Sequence, residues 1–172
     1  MAGRFVPDVA GHAGSAAKLA GELRQVLREL KVDAREDPRK DLRGEFTPSA
    51  SYEPIPLRFF FPGGQGILAV EGTLILLEGP PHEELRHALN FLCQEVAACR
   101  FYAGQEPDGR RAVFARADLL PNLDAAPALH ARDLRQALTG LCAQRAIFAE
   151  PLQRVQGGQS WRFVRDTLKA LK

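Results

Sequence analysis

The chain predicts an α+β fold: an antiparallel sheet of about five strands with helices packed on it, in α-β-β-β-α-β-β-α order, plus an extra C-terminal helix. Three observations carry this expectation. Apolar residues recur at three- and four-residue steps after Ser15, after Pro81 and after Leu129. Runs rich in branched and aromatic residues fall at 57–77 and 100–119. Only short turns separate those runs, too short for a crossover to a parallel neighbour.

Residues 1–14 are rich in Gly and Ala and lack periodicity, which predicts a flexible N-terminus. Ser15 reads as an N-cap for a helix over about 15–31, with Ala16, Leu19, Ala20, Leu23, Val26, Leu27 and Leu30 on one apolar face. Residues 32–56 are polar and carry four prolines, so a loop with at most a short strand is expected. Leu57–Phe61, Ile67–Val70 and Thr73–Leu77 read as a three-stranded meander, with Gly72 alternatively a bulge in one longer strand. A second helix over about 81–98 carries Glu83 and Glu84 in its first turn, where negative charge suits the helix dipole. A hairpin follows, Arg100–Ala103 and Arg110–Leu119, around a turn at Pro107-Asp108-Gly109. The third helix is expected over about 128–149, ended or bent by Pro151. Gly157-Gly158 reads as a hinge, and Ser160 as the cap of a last short helix. The chain thus divides into a flexible 1–14, a body at 15–156, and a hinge with its helix at 157–172.

Composition bounds the function. A chain of 172 residues, 45% hydrophobic and 26% charged, is that of one ordinary globular domain. Met1–Pro7 lacks a signal peptide's apolar stretch, and no aliphatic run approaches a bilayer span, so a cytoplasmic location without membrane contact is expected. Three cysteines, Cys93, Cys99 and Cys142, with no C-x-x-C fit buried thiols in a reducing compartment. Net charge is only +2, but residues 100–172 hold twelve Lys/Arg against seven Asp/Glu, and residues 51–99 two against six. That asymmetry can steer an acidic partner.

Several fragments resemble sites and fail. His82 and His87 are five apart, which turns them about 140° from each other on a helix, so they do not converge on a metal. Gly63-Gly64-Gln65-Gly66 precedes a strand and no Lys-Ser/Thr, unlike a phosphate loop. No G-x-S-x-G occurs, and Cys93 and Cys142 lie on apolar helix faces. No catalytic constellation, cofactor or metal is therefore expected, and the chain reads as a non-enzyme.

The strands lack the alternation of a one-sided sheet. Leu57, Phe59 and Phe61 point one way and Phe60 the other, while Ile67–Val70 and Leu74–Leu77 are apolar on both faces. The second face should then be covered too, by the chain's own helices, by a second copy or by a client segment.

Ala88-Leu89-Asn90-Phe91-Leu92, with the hairpin Arg100-Phe101-Tyr102 and Arg111–Leu119, resembles the YbjN-like family of the type III secretion chaperone-like fold. The resemblance covers about 15–150. The family's second Asn is replaced here by Cys93 and Gln94, and 151–172 lie outside it. It implies a small dimer that binds other proteins without ATP.

The expectation is a homodimer that binds a client protein. Leu85, Leu89, Leu92 and Val96 of the second helix are the expected dimer interface. Phe60, Arg100, Tyr102, Arg110, Arg111 and Arg116 are the expected partner-binding residues. Trp161, Val164, Leu168 and Leu171 would make the last helix a lid. The alternative is direct single-stranded nucleic-acid binding, because arginines interleave with aromatics in the basic C-terminal part.

Overall fold

A computed structural model describes residues 9–170, apart from 50–51, 65 and 97–98. Its elements are α1 (Val9–Glu29), β1 (Arg35–Glu36), β2 (Leu42–Phe46), β3 (Ile55–Phe60), β4 (Leu68–Leu77), α2 (Glu83–Glu95), β5 (Arg100–Gln105), β6 (Arg111–Leu119), α3 (Ala131–Gln156) and α4 (Trp161–Ala170). Every strand pair is antiparallel, in the order β1-β2-β3-β4-β6-β5. The α+β class and the C-terminal helix are as the sequence predicts. Among the described residues no helix is long and apolar enough to cross a membrane.

Several boundaries differ from the sequence reading. α1 begins at Val9, before Ser15; residues 1–8 of the expected flexible terminus lie outside the described residues. The proline-bearing segment before Leu57 holds β1 and β2. Asp37 makes their turn possible: its Oδ1 accepts the N–H of Arg39 and of Asp41, a local closure that substitutes for ladder bonds. Residues 68–77 form one strand with a register shift between Thr73 and Ile75, so the break expected at Gly72 is absent. Gly72 is required for another reason: a Cβ there would stand 2.5 Å from Ile55 Cδ1, in the tightly packed crossing of β4 over the core.

α3 runs through Pro151 to Gln156 instead of ending there. Gly157-Gly158, the expected hinge, closes the helix. Gly158 takes φ +95°, its N–H reaches Val155 O, and the Gln159 N–H reaches Arg154 O, the paired bonds of a Schellman stop.

The helices share one hydrophobic core with one face of the sheet. Ile55, Leu57, Phe59, Val70, Val113 and Ala115 meet Leu134, Leu138 and Leu141 of α3. Leu23, Val26 and Leu27 of α1 join the same core, and Glu22 Oε2 ties α1 to the segment before α3 by accepting the N–H of Ala128 and of Leu129. Leu85, Leu89 and Leu92 of α2 are buried in this core, with Val96 packed against it. The stripe expected to form a dimer interface is therefore filled by the chain's own β5, α3 and α4.

α4 lies on α2 and α3 and not over the sheet. Trp161 and Val164 belong to the shared core, Leu168 packs against it, and Leu171 lies outside the described residues. The Trp161 ring meets Phe91 edge-on at 5.7 Å, and the Trp161 backbone N–H donates to Glu84 Oε2 at 2.7 Å. The carboxylate of α2 thus satisfies an N–H that α4's own first turn leaves open. The expected lid helix is thus docked on the chain's own α2 and α3.

Candidate interaction face

With the helices on one face, the other face of the sheet presents its own side chains. The second face was expected to be apolar and covered by the chain's own helices, a second copy or a client; it is polar, and none of the described helices lies over it. Strand alternation sends Leu68, Val70 and Gly72 toward the core and Ala69, Glu71 and Thr73 to the opposite side. The register sets Arg35, Arg43, Arg58, Glu71, Arg116 and Arg100 side by side across all six strands. This row of guanidiniums around one carboxylate is the central feature of the face.

Each arginine in the row has an acidic partner. Arg43 reaches Asp37 Oδ2 from Nε at 2.9 Å and Glu106 Oε2 from Nη1 at 2.8 Å. Arg58 reaches Asp41 Oδ2 from Nε at 2.8 Å and Glu71 Oε2 from Nη1 at 3.1 Å. Arg116 Nε holds Asp118 Oδ1 at 2.7 Å, while Arg100 Nε is 4.0 Å from Asp118 Oδ2. Arg35 stands 3.3 Å from Asp33 and is well exposed. Glu106 also accepts the Thr73 hydroxyl at 2.7 Å, and Glu71 accepts the Tyr102 hydroxyl. Glu71 is only 3% exposed, so these bonds compensate a charge that could not otherwise be buried.

The electrostatics follow from this pairing. Burial alone would raise the Asp37 carboxyl, but the Arg43 guanidinium and the N–H groups of Asp41 and Arg39 outweigh it and hold it below its usual range. Burial opposes the charge on Arg58, and Asp41 with Glu71 more than restore it. Burial, reinforced by the bond to Glu71, pushes the Tyr102 phenol well above its ordinary range and keeps it a hydrogen-bond donor.

Aromatic rings share the face. Arg58 lies over the Phe60 ring at 4.4 Å from its centroid and Arg116 at 5.2 Å, both within cation–π reach. Tyr102 and Phe114 are tilted neighbours at 5.5 Å. The result is a broad, largely charge-compensated surface of planar groups.

The structure brings Phe60, Arg100, Tyr102 and Arg116 of the expected partner-binding set onto this one face. Arg111 lies apart, exposed beside the β5–β6 turn, while Arg110 holds Asp108 at 2.6 Å at the rim of the face, in one cleft with Arg43 and Glu106. Sequence reasoning missed Asp37, Asp41, Arg43, Arg58, Glu71, Thr73 and Glu106. The signal was present: Leu42-Arg43-Gly44, Leu57-Arg58-Phe59 and Val70-Glu71-Gly72 each carry a charge at the outward step. Among the described residues no three His, Cys, Asp or Glu side chains gather where they could hold a metal ion.

No protein-family model and no curated protein matches the chain. Among solved structures it is similar to the crystal structure of YbjN from E. coli, a candidate transcription regulator. That similarity has 8% sequence identity and a TM-score of 0.45 over 73% of this chain and 90% of that one.

Proposed function

We propose that this chain is a non-enzymatic protein-binding module and that the helix-free sheet face is its binding surface. The observation that supports the reading is the row Arg35-Arg43-Arg58-Glu71-Arg116-Arg100 with Phe60 and Tyr102 beside it. Arginine and tyrosine are the side chains that anchor protein interfaces, because they bring large planar area and several donors at modest ordering cost. The internal ion pairs leave little net charge to attract a polyanion, which counts against the nucleic-acid alternative. The homodimer is proposed on this same face, since the α2 stripe is occupied.

A gel shift with single-stranded DNA and RNA at about 50 mM salt separates the two readings. The proposal expects no shift; a shift that collapses as salt rises would favour the nucleic-acid reading. Light scattering coupled to gel filtration tests the dimer, which should show twice the mass of the 18.9 kDa chain. A monomeric mass would remove self-association from the proposal.

A further inference from the structure

β4 is longer than the strand beside it. Its pairing with β3 runs only from Gly72↔Leu57 to Ala69↔Phe60, while its pairing with β6 continues to Leu77↔Arg111. Residues 75–77 are therefore laddered on one side only, and Leu74, at the register shift, has no Cα partner on either neighbour. The sequence gives the reason. Pro54 and Pro56 supply no N–H, and Pro56 stands one step beyond the Leu57–Gly72 pair, opposite Thr73. The Thr73 carbonyl takes its hydrogen bond from Arg145 Nη1 instead, at 3.0 Å. The register shift after Thr73 also leaves Leu76 47% exposed. Two clefts, of about 480 and 520 Å³, flank this stretch and share Leu74 and Arg145 in their walls.

We propose that this notch takes an extended segment of a partner protein. The segment adds beside 74–77 as a strand in line with β3, and it carries an apolar side chain for Leu76 and a carboxylate for Arg145. One-sided strand backbone is a template for any extended peptide, and side chains at the notch set the specificity. Leu76 supplies the apolar preference. Arg145 supplies the acidic one: one guanidinium nitrogen is on the Thr73 carbonyl and the other is 3.8 Å from Glu53, a carboxylate that is itself well exposed. Arg43 and Arg110, on the same wall, are held by carboxylates at 2.9 Å or less. A nucleic-acid strand has no alternating N–H and C=O groups to continue the ladder, so the occupant is a polypeptide. This inference rests on the protein-binding reading and names a site at the rim of the proposed face.

The test is selection of random linear peptides, displayed on phage, against the immobilised full chain. Enriched peptides should combine apolar residues with an Asp or Glu. Their affinity should fall by about tenfold or more on Leu76→Lys and on Arg145→Glu, and stay unchanged on Arg162→Ser, an exposed position on α4 that lines neither cleft. Replacing the peptide's own acid by its amide should weaken binding to the unaltered chain in the same way, a readout independent of how the variants fold. Absence of enrichment, or peptides that bind Leu76→Lys and Arg145→Glu as well as the unaltered chain, would overturn the proposal. A native partner kept by Leu76→Lys but lost from Phe60→Ala/Arg100→Glu would also overturn it, while leaving the sheet-face reading intact.

Discussion

Glu71 accepts a hydrogen bond from Arg58, Oε2 to Nη1 at 3.1 Å, at the centre of the helix-free sheet face. Its other carboxylate oxygen takes the Tyr102 hydroxyl, so one inaccessible group links β3, β4 and β5. Glu71→Ala leaves a buried guanidinium edge and a phenol without partners. It should cost about 2–4 kcal/mol, the range for breaking a buried pair, discounted because Arg58 is partly exposed. Glu71→Gln keeps an acceptor for Tyr102 and should cost less. Urea unfolding followed by the fluorescence of Trp161, the single tryptophan, measures both.

Tyr102 gives the face a pH signature. Burial, and then the bond to Glu71, raises its folded pKa above the unfolded value of about 10. Stability from the protonated phenol is therefore complete below about pH 10 and is lost as pH rises beyond it toward the folded pKa. The stability difference between the unaltered chain and Tyr102→Phe should be constant from about pH 6 to 9 and shrink above about pH 10. Chemical unfolding across that range checks the sign.

Lys31 ends α1 in the left-handed region, at φ 58°. Its N–H reaches Arg28 O and the Val32 N–H reaches Leu27 O, the bonding pattern that usually employs glycine. Lys31→Gly should relieve the side-chain strain and raise stability by about 0.5–1 kcal/mol. A higher urea midpoint with an unchanged slope is the expected result.

The arginines near the β5–β6 hairpin should separate into two groups. Arg110 and Arg111 are exposed, and Arg110→Ser/Arg111→Ser should leave the melting temperature unchanged. Arg116 is partly buried between Asp118 and the Phe60 ring. Arg116→Ser should lower stability by about 1 kcal/mol. Calorimetry on the two variants distinguishes these outcomes.

Element type was largely legible because it rests on period. The three- and four-residue steps of Leu19, Leu23 and Leu27, or of Leu134, Leu138 and Leu141, need no tertiary knowledge. The sheet face was harder. Ala69, Ala112 and Thr73 are small and buried, so a run such as Leu68-Ala69-Val70 looks apolar on both sides although its outward member belongs to the face that carries the charges. Reading Glu71-Gly72 as a break hid the outward step that carries the central carboxylate. The pairing of Arg43 with Glu106, sixty-three residues away, has no local signal at all. The α2 stripe failed for a related reason: periodicity marks a buried face without saying whether the chain itself or a second copy buries it.

The most direct test of the binding face is capture from the native cell with the tagged chain and with Phe60→Ala/Arg100→Glu, compared by quantitative mass spectrometry. Phe60 is half-buried and Arg100 is exposed, so both can change while the core is kept. The account predicts that proteins retained by the unaltered chain fall by about tenfold or more on the variant, with circular dichroism and melting temperature preserved. Retention of the same proteins at the same level by a folded variant would contradict it.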